Sequence, residues 1–244
     1  MLRQARAAGG GAARTQKRFL EQTSMCFSAT ASFVTAGVTA AIGIASLSRV
    51  TEPRELPLAA TPILFALQQS IEGLLWLTLP LAPSGSISTV LTLLFLLFAQ
   101  VLWPVYVPIA VLLVEPNDRR RRVMYLCLAV GIGVGGYFLW SIFTRSHGAV
   151  ILDGHIVYAT EPGYPEASAI ALAYFAATGL PLMLSSQRTV VALGAIVLVG
   201  SAVAYLFYWE AFVSVWCFFA AAASIVILCQ FEWSRRLRLR IAGP

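Results

Sequence analysis

Residues 86–122 read SISTVLTLLFLLFAQVLWPVYVPIAVLLVEPNDRRRR. The first 29 of them, 86–114, carry no charged side chain. At 1.5 Å per residue a helix of that length reaches about 43 Å, whereas a bilayer has about 30 Å of hydrocarbon and needs only about 20 apolar residues to cross it. The run ends in four consecutive arginines, Arg119 to Arg122. An apolar stretch of membrane length closed by a block of arginine reads as a transmembrane helix whose basic end lies in the cytoplasm. Pro104 and Pro108 fall inside the run. Each removes a backbone donor and crowds the preceding turn, so this helix is expected to be tilted or kinked there.

Six more apolar segments flank it, at 28–48, 56–79, 122–143, 166–185, 189–208 and 210–231. The expected fold class is all-α: a polytopic membrane protein of about seven transmembrane helices. Composition agrees. The chain has 244 residues, 59% hydrophobic and 11% charged, with a mean hydropathy of +0.79, whereas soluble domains carry roughly 25% charged residues. Seven helices occupy 25–234 and leave no length for a second folded domain. A basic cytoplasmic tail follows at 235–244. The net charge of +6 does not point to nucleic acid, because the basic residues gather at segment ends, where they meet anionic headgroups.

Counting by side fixes the orientation. The connections 1–2, 3–4 and 5–6 and the tail hold Arg49, Arg54, Arg119, Arg120, Arg121, Arg122, Arg188, Arg235, Arg236, Arg238 and Arg240, eleven in all, and the opposite connections hold only Arg145. The positive-inside rule then places the C-terminus inside and Met25 outside. Residues 1–24 break the pattern with five basic residues on the outer side. They read as a disordered basic extension: sequence upstream of a true start at Met25, an organellar transit peptide, or a genuine tail.

The connection between spans 4 and 5 is TRSHGAVILDGHIVYATEPGYPE, residues 144–166. Ala149–Leu152 and His155–Tyr158 are strand-like and flank Asp153-Gly154, and Asp-Gly between two apolar runs signals a two-residue hairpin turn. A short hairpin over the outer mouth of the bundle is expected.

Chemistry is concentrated in FALQQSIEGLLW, residues 65–76. Gln68, Glu72 and Trp76 share one helix face, and Gln69 lies beside them. An ionisable group within a membrane is costly and is a functional candidate by default. Burial in hydrocarbon is expected to raise the Glu72 pKa, leaving a neutral carboxyl able to donate a proton or a hydrogen bond. Span 3 adds Gln100, Trp103 and Tyr106 at mid-membrane, with Gln100 expected to meet Gln68 or Gln69. Span 7 opens with Trp209-Glu210 and continues through Trp216 and Cys217, making Glu210 a second catalytic candidate beside Glu72. The competing account of these polar groups is interhelical glue. His147 and His155 lie in the outer connection without metal-ligand spacing, and the four cysteines show no CxxC, so no metal or cofactor is expected. The glycines at 131, 133, 135 and 136 are small contacts for close helix packing.

The stretches MCFSATASF at 25–33, FALQQSIEGLLW at 65–76, WPVYVPIAVLLVE at 103–115, GHIVY at 154–158 and SVWCFFAA at 214–221 resemble, in order, a family of small bacterial integral membrane proteins of unknown function that begin at MCFSATASF. The resemblance covers about 25–231 and implies a start at Met25 and a bacterial inner membrane. It assigns no activity. It does mark Cys26, Gln69, Glu72, Trp103, Pro104, His155 and Trp216 as motif members.

Two functions of different class follow. In the first, a lipid or small amphipathic ligand enters an outer-half pocket and meets Gln68, Gln69, Glu72, Trp76, Gln100, Trp103, His155 and Trp216. In the second, a membrane enzyme uses Glu72 as general acid on a lipidic or isoprenoid substrate. A subunit or assembly factor of a larger membrane complex is a further reading, with a membrane-protein partner.

Overall fold

The computed structural model describes residues 28–152, 154–160, 167–207, 221 and 223–241. These residues are mostly helical. Helix α1 (Ala29–Leu47) begins at Ser28, whose Oγ accepts from the Ala31 amide at 3.2 Å, the capping bond expected of serine in that position. A 3₁₀ turn at Pro53–Glu55 leads into α2 (Leu56–Thr78). Helix α3 spans Ser86–Val114, α4 Asp118–Thr144, α5 Ala167–Met183, α6 Arg188–Phe207 and α7 Ser224–Ile241. Between α4 and α5, strands β1 (His147–Leu152) and β2 (His155–Thr160) form an antiparallel pair. Four helices are long and apolar enough to cross a membrane: α1, the stretch Pro53–Thr78, α3 and α4. Ala169–Met183 and Arg188–Ala204 are shorter apolar helices.

Helix α1 packs along α2, with Gly73 admitting the Phe33 ring so closely that a Cβ would lie 2.8 Å from it. Helix α3 contacts α2, α4 and α5, and α7 returns to touch α1, α2 and α6. The arginine-bearing connections meet at one end of this bundle. Arg49 Nε binds Glu232 of α7 at 2.8 Å, and Arg120 donates to the carbonyls of Leu184 and Ser185 between α5 and α6. Arg119–Arg122 belong to the first turns of α4, not to a loop, because Asn117 Oδ1 caps the helix by accepting from the Arg119 and Arg120 amides. The basic stretch from 235 likewise continues α7. The span expected at 210–231 is described only from residue 221, and residues 208–220 lie outside the described residues.

Helix α3 is not uniform. Its middle, Leu97–Leu102, is a π-helical turn between α-helical Ser86–Leu96 and Trp103–Val114. The Trp103 amide donates five residues back, to Phe98 O. In the same register Pro104 would serve Ala99, but proline has no N–H. The Ala99 carbonyl is served instead by Tyr174 of α5, whose hydroxyl donates to it at 2.6 Å. Pro108 deprives the Pro104 carbonyl of its helical donor in the same way. Gly131 of α4 sits against that oxygen so closely that any Cβ would collide with it. The expected disturbance at the prolines is therefore a change of helical pitch, stabilised from α4 and α5.

The hairpin has the expected register, with Leu152 opposite His155 and Gly154 at φ 76°, the positive φ that a two-residue turn demands. It does more than cover a mouth. Ala149 and Ile156 are buried in one apolar cluster with Leu75, Leu79, Phe95 and Trp103, and the Tyr158 ring stacks on Phe95 at 4.4 Å. Strand alternation explains the insertion: one face of β1 and β2 is small or apolar, and that face turns into the bundle.

Candidate functional site

The face of α2 that points into the bundle changes character along the helix. From the arginine end it presents Leu58, Thr61 and Phe65, then Gln68, Gln69 and Glu72, then Leu75 toward the hairpin, all buried. Gln68, Gln69 and Glu72 are 0, 1 and 2% exposed. Polar groups that far from water need partners. Trp103 Nε1 donates to Gln68 Oε1 at 2.7 Å, and Gln69 Nε2 donates to Glu72 Oε2 at 3.1 Å. The two pairs differ in kind. The first joins α2 to α3 across the bundle. The second lies within one turn of α2 and presents a carboxyl to the interior.

Trp103 organises the surroundings. It is 1% exposed, stacks on Phe65 with ring centres 4.2 Å apart, and meets Tyr106 edge-on at 6.0 Å. Tyr106 in turn donates to the Pro57 carbonyl at 2.6 Å. The π-turn of α3 immediately precedes Trp103, and such turns are frequent where a helix aims side chains at a functional site. Phe65 and Trp103 also close one side of an apolar cavity of about 50 Å³, walled further by Val107, Val111, Leu193 and Ile227. That is about a third of the roughly 150 Å³ that takes up benzene in an engineered core, so it admits a short apolar group and not an acyl chain. It lies on the arginine side of the Gln68–Trp103 bond, its α2 walls Leu58, Thr61 and Phe65 standing about two to four helical turns from Glu72.

The structure brings Gln68, Gln69, Glu72 and Trp103 together, with Trp76 half-buried against the same apolar cluster. Gln100 does not take the expected place. It sits half-buried in the π-turn, and the bond expected between it and Gln68 is made by Trp103. The widened turn puts Trp103, three residues on, opposite Gln68. His155 is half-buried in β2. Cys26, Asp153, Tyr208, Glu210, Trp216 and Cys217 lie outside the described residues.

A second polar cluster, at the arginine end, escaped the sequence reading. Glu115 is 2% exposed and accepts from the Asn117 amide at 3.1 Å, Ser185 Oγ at 3.0 Å, the Ser186 amide at 2.7 Å and Ser186 Oγ at 2.6 Å. Gln187 Nε2 donates to the Val114 carbonyl at 2.6 Å, and Gln230 Nε2 donates to Gln187 Oε1 at 2.6 Å. Burial pushes the Glu115 carboxyl up. The donors from Ser186, Asn117 and Ser185 outweigh it and hold the group below the usual carboxylate range. The signal in the sequence was an acid placed directly at the end of an apolar run, with an SSQ triplet at the corresponding end of span 5.

Residues 25–242 match the model of a family described as a family of unknown function, DUF6629. No curated protein and no solved structure matches the chain. With nearly the whole sequence covered, the chain belongs to that family.

Proposed function

We propose, taking membership of this family as the premise, that the protein is a seven-span integral membrane protein of a bacterial inner membrane that binds a lipid or small amphipathic molecule within its outer half. In this reading its N-terminus faces out and its C-terminus in. The observation that carries the proposal is the Gln69–Glu72 pair. A carboxyl 2% exposed among apolar side chains is expensive to bury. Trp103 and Gln68 supply a bond that ties α2 to α3, and such a bond needs no ionisable group on the same face. In this reading the polar group of an amphipathic ligand meets Gln69 and Glu72, while its apolar part lies against Trp76 and the rings of Phe65 and Trp103.

The buried carboxyl also favours a second reading, in which Glu72 gives its proton to a lipidic or isoprenoid substrate. Glu72→Gln separates the two, since the amide retains hydrogen bonding and has no acidic proton. Native mass spectrometry with lipid analysis of protein from mild detergent, wild type beside Glu72→Gln, is the test. A specific small molecule kept by both supports binding. A molecule that accumulates unturned on the variant alone supports catalysis. Bulk phospholipid only, with another membrane protein co-purifying, would sink both and favour a subunit role.

A further inference from the structure

A second recess lies at the opposite end of α2. It has a volume of about 230 Å³ and opens where the arginine-bearing connections converge. Arg54, Glu55, Gln187 and Gln230 line its polar part, and Leu58 and Phe231 form its apolar floor. Glu55 and Glu72 are 17 positions apart on the chain, about 25 Å along a helix, so this recess is separate from the Glu72 cluster and does not depend on its function.

The recess carries one cation and one anion side by side. Arg54 engages Glu52 through Nε at 2.6 Å, and its two terminal nitrogens make no hydrogen bond among the described residues. Glu55 Oε2 accepts from the Thr51 amide at 3.0 Å, the Thr51 hydroxyl at 3.4 Å and the Glu52 amide at 3.4 Å, which holds the carboxylate in place at the turn into α2. Gln187 and Gln230, bonded to one another, bring amide groups from the two facing elements. A purely anionic ligand would meet Arg54 and be repelled by Glu55. A ligand with a phosphate and an ammonium two carbons apart satisfies both. The apolar floor adds a requirement for methylene groups below the polar head.

We propose that this recess binds the headgroup of an ethanolamine phospholipid from the leaflet at the arginine end. The phosphate lies against Arg54 and the glutamine amides, the ammonium against Glu55, and the glycerol and first methylenes over Leu58 and Phe231. The size is ample: about 10–15 Å³ of cavity volume already holds a water molecule, so about 230 Å³ accommodates the roughly eight heavy atoms of phosphoethanolamine. The acyl chains remain in the bilayer.

The test is titration of the full-length protein in mild detergent with phosphatidylethanolamine, phosphatidylcholine and phosphatidylglycerol of identical chains, read by native mass spectrometry. The ethanolamine lipid is expected to bind about two- to fivefold more tightly than the others, the range of one exposed ion pair. Glu55→Gln is expected to equalise ethanolamine and choline lipids, and Arg54→Gln to weaken all three. Arg145→Gln, at the hairpin end, is expected to change nothing. Equal binding of the three lipids by wild type would overturn the proposal, as would a preference that survives Glu55→Gln. Free phosphoethanolamine competing as strongly as the lipid would overturn the assignment to a membrane lipid. Melting temperatures of the variants confirm folding. Should Arg54→Gln not fold, Glu55→Gln decides alone.

Discussion

Replacing Glu115 with alanine removes the acceptor of four hydrogen bonds at once and leaves the Asn117 and Ser186 amides and two serine hydroxyls to find water. At about 1 kcal/mol net per bond the upper figure is about 4 kcal/mol. Ser186 is itself exposed, so part of the loss is recovered by hydration, and about 3 kcal/mol is expected. For a chain of this size each kcal/mol moves the melting temperature by roughly 2–4 °C, which gives a drop of about 6–12 °C. The assay is the fraction of protein remaining monodisperse on size exclusion after heating in detergent at a fixed scan rate. Its pH dependence has a definite sign. The folded carboxyl titrates below its ordinary value of 4.5. Its contribution is therefore complete above that value and disappears as the pH falls through the lower, folded one. The gap between wild type and Glu115→Ala must then be full at neutral pH and close in acid. A drop under about 2 °C at neutral pH, less than the effect of 1 kcal/mol, would refute the view that this cluster clasps the α3–α4 and α5–α6 connections. So would a gap that does not narrow with acid.

Tyr174→Phe leaves the Ala99 carbonyl without a donor inside the bundle and is expected to cost about 1–3 kcal/mol. An unchanged melting temperature would show that the π-turn does not depend on α5. Gly131→Ala forces the α3 and α4 backbones apart at Pro104 and is expected to cost at least about 1–3 kcal/mol, whereas Gly133→Ala, with open space around it, is expected to be neutral or stabilising, and the same melts compare them. Glu232 is held down to about 2 by Arg49 first and Arg236 second. In Arg49→Gln its carboxyl is expected to titrate closer to 4.5, measured by carbon NMR of labelled glutamate, and a value that stays near 2 would exclude the pairing.

Helix positions were legible because apolar length is a one-dimensional property. The expected 56–79 and 86–114 meet helices at Leu56–Thr78 and Ser86–Val114, and Asp-Gly announced the hairpin turn. Helix starts governed by a single cap were less legible: capped by Asn117, α4 begins at Asp118, four residues before the expected 122, and draws the arginines into the helix. Partner choice was not legible at all. Periodicity placed Gln68, Glu72 and Gln100 in the interior, but the pitch change in α3 decides that Trp103, not Gln100, meets Gln68, and that change comes from where Pro104 falls relative to Ala99. The Glu115 cluster was hidden for a related reason. Three of its four donors lie about 70 residues away in sequence, and no local pattern connects them.

The seating of the hairpin has a consequence for biosynthesis. The apolar socket that receives it is built from Leu75 and Leu79 of α2 and Phe95 of α3, yet Ile156, its most buried plug, is made 61 residues after Phe95. At about 5–20 residues per second the ribosome takes roughly 3–12 s to cover that interval. For those seconds the apolar socket has no Ile156 to fill it. The order of synthesis therefore makes docking of the hairpin a late step in maturation, completed from the end of the bundle opposite the arginines.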